Sequence, residues 1–353
     1  MSQQRFLSFV AQLVPSWRAS QRTVLALCVA AMVVRRCCTL SELARGLPPT
    51  TRIIYRLKRL ARFVDNPRLN LLAGWQVLAQ RASTLKSQGW LPVLLDETGI
   101  RDWATLLSAA VPFQGRALPV ACMAFSASQI KRSLWTLREG LIKCLYDALG
   151  EHASRMVVVA DRGFAASHFF RRLRRAQVHF VVRVPAKVYV QWAGLRALLS
   201  QLDLRPGCRH WLPDLRYGPK QARLNVLIVW QRNSREPWLL ASSLDDPQQI
   251  YEPYRLRMRI EAFFKDGKQH FELERCQLHT AARISTLAFT LCLALWWLAL
   301  EAPLPPNWES QVRTRGKLSW LRLAIKWIES LALTSLLLSP LSPPLAPIRG
   351  KSG

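Results

Sequence analysis

Three acidic residues lie far apart along the chain, each in a setting that could present a carboxylate. Asp96 ends the apolar run Leu91-Pro-Val-Leu-Leu, and Asp161 ends Met156-Val-Val-Val-Ala. Glu261 sits in the helical stretch Tyr254 to Lys268. If folding brings all three together, their mutual repulsion calls for a cation. Hard oxygen donors with open positions suit Mg²⁺, with Mn²⁺ as a substitute. Two such ions can activate an attacking water or 3′-hydroxyl and stabilise the leaving oxygen of a phosphodiester. Each aspartate alone also reads as a strand-end cap or as the partner of Arg101 or Arg162.

The stretch around Glu261 reads as a single helix. Leu256, Ile260, Phe263 and Phe264 recur at helical spacing and give one apolar stripe. Tyr254, Arg257, Glu261 and Lys268 are three, four and seven positions apart, which puts them near one face. Arg257, Arg259, Lys265 and Lys268 ring the glutamate. A salt-bridged amphipathic helix explains that ring as well as a site does.

The elements that must position these residues follow from the change of period along the chain. Residues 20 to 86 read as helices. Thr39-Leu-Ser-Glu42 has a capping-box pattern, and Pro48-Pro-Thr-Thr51 makes a turn before a strongly basic helix from Arg52 to Phe63. A helix, a tight turn and a basic helix outline a helix-turn-helix unit suited to DNA. From Leu91 the pattern becomes β-like. Strands are expected near Asp96, over Leu106 to Val111 and over Ala117 to Phe125, with a hairpin turn at Gln114-Gly-Arg116. A helix over Ile130 to Leu149, a strand to Asp161, a helix over Ala166 to Arg175 and a strand over Val178 to Val184 follow.

This order describes an α/β, ribonuclease-H-like mixed sheet with helices on both faces. It implies a helical DNA-binding region (1–86) and the first part of the catalytic domain (87–184). A β-rich insertion (185–245), a catalytic and closing helix (246–302) and a C-terminal helical segment with a disordered tail (303–353) complete it. In such a layout the first and fourth strands are neighbours, so Asp96 and Asp161 meet at the strand ends.

Composition points to the partner. Fifty Lys and Arg against 22 Asp and Glu leave a net charge of +28, which favours a polyanion and nucleic acid in particular. The eight cysteines have no metal-ligand spacing and read as reduced thiols of a cytoplasmic protein. Residues 1 to 20 do not read as a signal peptide. Ile284 to Leu300 is apolar for about the length of a short membrane span, but a buried helix behind a sheet is the preferred reading, with no membrane partner.

Taken together, these residues resemble the DDE transposases of bacterial cut-and-paste insertion sequences, in the branch marked Tyr-x2-Arg-x3-Glu-x6-Lys. Tyr254, Arg257, Glu261 and Lys268 match that spacing throughout. Leu-Leu-Asp96-Glu-Thr and Val-Ala-Asp161-Arg-Gly-Phe look like the first and second acid motifs, and Arg62 to Arg68 is similar to a segment closing the N-terminal region. The resemblance covers roughly residues 20 to 300.

It implies that Asp96, Asp161 and Glu261 are catalytic and hold two Mg²⁺ ions, and that Tyr254, Arg257 and Lys268 grip the phosphates of a transposon end. Lys265 and Arg162 join them as DNA-binding candidates. Pro237-Trp238-Leu-Leu looks like the motif whose tryptophan stacks on a flipped base while a DNA hairpin forms. A tryptophan of the strand core is the other reading of Trp238, and Trp192 and Trp230 are weaker candidates. Cleavage at transposon ends, transfer of the 3′-hydroxyl into target DNA, a synaptic homodimer and a place at the nucleoid in the cytoplasm all follow from the resemblance. A catalytically silent relative, acting as an inhibitor of transposition or as a domesticated protein, is the alternative.

Overall fold

The computed structural model describes residues 3–86, 88–126, 133–302 and 319–338, with side chains as far as residue 330. The chain divides into two compact units, Met1–Trp297 and Leu298–Gly353. The second carries a helix, Trp320–Leu338. The tail from 339 onward and most of the expected Pro-rich linker lie outside the described residues.

The first unit begins with five helices: α1 (Gln3–Leu13), α2 (Ala19–Arg35), α3 (Leu40–Gly46), α4 (Ile53–Val64) and α5 (Leu71–Thr84). The helix α1 lies in a stretch read only as alternating polar and apolar. Its buried Phe6, Phe9, Val10 and Leu13 fall at i, i+3, i+4 and i+7, which is a helical stripe. The expected capping box does not form. Thr39 precedes α3 without a side-chain cap bond, because Glu42 is taken by Arg35 and Arg45.

Ten strands form one mixed sheet. They are β1 (Leu91–Ile100), β2 (Ala104–Phe113), β3 (Arg116–Phe125), β4 (Met156–Ala160), β5 (His179–Arg183), β6 (Tyr189–Trp192), β7 (Leu195–Leu198), β8 (Arg209–Tyr217), β9 (Ala222–Val229) and β10 (Trp238–Ser242). Their order is β3-β2-β1-β4-β5-β10-β9-β8-β6-β7. The turn between β2 and β3 uses Gln114 and Gly115 at φ 41° and 80°, the left-handed pair that a tight hairpin needs. β1, β4 and β5 run parallel. They are buried apolar runs of valine and leucine, as parallel strands covered on both faces must be. The strands of 185–245 do not fold back on themselves alone, since β10 pairs antiparallel with β5.

Between the strands run α6 (Leu134–Leu149) and α7 (Ser167–Arg175), and after them α8 (Pro247–Arg255), α9 (Arg259–Lys265) and α10 (Ala281–Leu300). The last is long and apolar enough to cross a membrane, yet it is mostly buried within the fold. Trp296 donates its indole N–H to the Pro119 carbonyl at 2.7 Å, and Trp297 stacks on Phe6. Gly74 of α5 lets the Phe289 ring approach, since a Cβ there would stand 2.3 Å from that ring.

Candidate active site

The two aspartates meet through strand register. Leu95 is paired with Ala160 across the parallel β1–β4 ladder, so Asp96, still within β1 and paired with Ser108 of β2, lies beside Asp161, the first residue past the C-terminal end of β4. Open α/β sheets place their sites at such ends. Asp161 turns directly into a short 3₁₀ segment, Arg162–Phe164, and caps it by accepting from Gly163 N–H at 2.9 Å. Gly163 leaves little room there, since an added Cβ would stand 3.2 Å from the Asp161 carboxylate.

Glu261 arrives from a broken helix. The stretch expected as one helix over Tyr254 to Lys268 is four pieces: the end of α8, a tight turn, α9, and a π-helical turn over Asp266–His270. Pro253 removes one donor from the helical ladder. After it, the amides of Leu256, Arg257, Arg259 and Ile260 reach back three residues instead of four. Asp266, buried in the π turn, is held by Arg116 at 2.6 Å. Inserted π turns of this kind are frequent at functional sites.

The break leaves Arg257 and Glu261 within reach of the strand ends. Arg257 donates to Asp96 Oδ2 at 3.2 Å and to Glu261 Oε1 at 2.8 Å. Its side chain is 12 % exposed, against 46 % for Glu261. One guanidinium therefore ties the first and third acids. Asp161 stays close enough for its charge to act on Asp96 and on Tyr254. Burial pushes the Asp96 carboxyl up to about 6; the Glu97 N–H and Arg257 pull it down, while Asp161 and Glu261 push it further up. The Tyr254 hydroxyl is likewise raised, first by burial, with Arg257 opposing.

Among the described residues, no three His, Cys, Asp or Glu side chains stand close enough to hold a metal ion. The donor chemistry nevertheless suits a hard divalent cation. Two of the carboxylates share one guanidinium, and beside the larger effect of burial the charges of Asp161 and Glu261 both raise the Asp96 carboxyl.

The other predicted residues fall around this centre unevenly. The half-buried Trp238 packs edge-on against Tyr254, ring centroids 5.0 Å apart, with Tyr251 beside it. Arg162 is paired with Glu236, which also takes Arg183 at 2.8 Å. Lys265 is exposed on α9. Lys268, in the π turn, pairs with Glu274 at 2.7 Å. Trp192 is partly exposed on β6, and Trp230 donates to the Ser234 carbonyl.

One participant escaped the sequence reading. Arg138 of α6 is 6 % exposed. Its Nε donates to Glu97 at 2.8 Å and its Nη1 to the Gly163 carbonyl at 3.0 Å. The guanidinium is sandwiched by Phe164 and Trp135 at 4.1 and 4.6 Å. It thus staples the residue after Asp96 to the turn after Asp161. The signal was available: Arg138 falls on the same face as buried Leu141, Ile142 and Leu145, where an unpaired cation could not stay.

Comparison with known proteins adds one family match. A family described as "Transposase DDE domain" matches residues 138–297, a span that includes Asp161, Trp238 and Glu261 and leaves Asp96 outside. It supports a DDE transposase reading for that part of the chain. No curated protein matches the chain. Among solved structures, a cryo-EM structure of a piggyBac transposase synaptic complex with hairpin DNA is similar at 12% identity and a TM-score of 0.47. The likeness covers 99% of this chain and 84% of that one.

Proposed function

We propose that this chain is a DNA transposase that cleaves at transposon ends and joins the freed 3′-hydroxyl to target DNA. The observation that carries this reading is the convergence of Asp96, within β1, and Asp161, just past the end of the neighbouring parallel β4, with Glu261 tied to Asp96 through Arg257. The strand order β3-β2-β1-β4-β5 supports a ribonuclease-H-like catalytic half, and the family match supports the reaction class.

Asp96, Asp161 and Glu261 are the residues that would hold two Mg²⁺ ions, or Mn²⁺ in their place. Bound there, the ions supply Lewis-acid activation of the attacking oxygen and stabilise the leaving one. The protein's own part is positioning. Arg138 keeps the two aspartate-bearing ends in register. Arg257, released from the carboxylates, becomes a fork for a DNA phosphate. Tyr254, Lys265, Lys268 and Arg162 donate to further phosphates. Trp238 offers a stacking face for a base turned out of the duplex while a hairpin forms, worth roughly 1–3 kcal/mol per base. The helices of 20–86 bind the transposon end, two copies assemble around paired ends, and the protein acts at the nucleoid in the cytoplasm.

The tie between Arg257 and two of the three acids also favours a second reading, a silent DNA-binding relative that inhibits transposition or has been domesticated. Incubation with Mg²⁺ and a duplex carrying the element's end separates the two. Strand cleavage by the native chain and none by Glu261→Gln is the expected result. Binding without cleavage by the native chain would establish the silent relative, and equal cleavage by both proteins would remove Glu261 from the site.

A further inference from the structure

A second polar site lies away from the acids. A cavity of about 640 Å³ opens between the α2–α3 junction, the β1–β2 turn and the segment after α9. Its walls carry Arg35, Arg36, Arg101, Arg275 and His270, with Gln269 and Gln277 as neutral donors and Thr39 and Ser41 as hydroxyls. Four arginines stand against two glutamates, Glu42 and Glu272. Glu42 pairs with Arg35 and with Arg45 from outside the cavity, and Glu272 pairs with Arg275 at 2.8 Å, so the lining keeps an excess of two positive charges. No Phe, Tyr or Trp is among the residues that line the cavity, which favours a polar, charged ligand.

The backbone singles out the same place. Of the eight non-glycine residues at positive φ among those described, Arg36, Arg101 and Glu272 line this cavity, at 52°, 46° and 50°. Each such residue carries a conformational cost of order 1–3 kcal/mol. Strain of this kind collects at ligand clamps.

We infer that this cavity is a binding site for the sugar–phosphate backbone of the same DNA whose scissile phosphate meets Asp96, Asp161 and Glu261. This rests on the proposed transposase function for the acid centre. Asp96 and Arg101 are five residues apart on β1 and its turn, about 16 Å at strand rise, so the cavity meets a backbone phosphate other than the reacting one. Arginine forks suit phosphate oxygens.

Binding of a duplex is measured by fluorescence anisotropy in EDTA over a salt series, so that cleavage plays no part. Arg101→Ala lowers the slope of log K against log salt by about 0.9, the value for one lost phosphate contact. Arg275→Ala, an independent variant from another segment, does the same, and the pair together removes about 1.8. Arg205→Ala, an exposed arginine of the loop before β8, leaves the slope unchanged. Phosphate ethylation interference in the native chain falls at a phosphate away from the cleaved position and disappears in Arg101→Ala. Unchanged slopes in both cavity variants overturn the inference, as does an equal fall in Arg205→Ala. A native chain that binds with the expected slope but never cleaves overturns the transposase reading and leaves the cavity assignment standing.

Discussion

Asp96 and Glu97 are neighbours on one strand, face opposite ways, and each is met by an arginine, yet the two pairs are built differently. On one side Arg138 is enclosed by Phe164 and Trp135, bonded to a backbone carbonyl as well as to Glu97, and nearly sealed from water. On the other, Arg257 divides itself between a half-buried aspartate and a glutamate that is largely in solvent. The first arrangement is a permanent staple. The second is a counter-ion that can leave. The difference teaches that a buried ion pair beside the proposed site serves stability when its partners are all internal, and leaves room for exchange when one of them is exposed.

The comparison breaks most visibly at Arg138. Arg138→Met leaves Glu97 with a poorly solvated charge, and stripping one partner from such a pair costs about 3–5 kcal/mol. Chemical denaturation reads this directly, and the double variant Arg138→Met/Glu97→Leu should regain most of it. If Arg138→Met alone is harmless, the staple is decoration.

A smaller effect of opposite sign is expected at Asp96. Its carboxyl sits at about 6 when folded against about 3.9 when unfolded. The folded state therefore holds a proton that the unfolded state has lost between those values, and stability falls as pH rises through that window. Asp96→Asn removes this penalty and should be more stable than the native chain by about 1–2 kcal/mol at pH 8, with the gap closing near pH 4. Thermal melts at the two pH values test it; a gap that widens on acidification contradicts the burial argument.

The smallest effect belongs to Arg257. Arg257→Met should cost under about 1 kcal/mol, because Glu261 is open to water and Asp96 can take up a proton. It should nonetheless raise the affinity for Mn²⁺, since the competing cation is gone, as read by titration calorimetry. A large loss of stability, or weaker Mn²⁺ binding, would make Arg257 a second staple.

Much of this centre was legible before any coordinates. The apolar runs ending at Asp96 and Asp161 announce buried strands, and the parallel pairing of β1 with β4 brings these residues, 65 positions apart, side by side. The i, i+4 spacing of Arg257 and Glu261 holds in the fold. What periodicity could not disclose was the break after α8, because the apolar stripe of Leu256, Ile260 and Phe263 runs straight through it while Pro253 acts on the backbone ladder. The capping box at Thr39 failed for a related reason. Local pattern saw Glu42 and its own turn but not Arg35, which competes for it from another helix. Arg138 was hidden because its partners lie 41 and 25 residues away.

The pairing of β10 with β5 carries a mechanical consequence. Trp238 begins a strand bonded through its main chain to β5, which is bonded in turn to β4 and so to β1, with no linker between them. An outer strand pulled by bound DNA would tilt aromatic and acids together as one plate. Motion that parts them has to come from the helical side, where the ladder after Pro253 is already loosened.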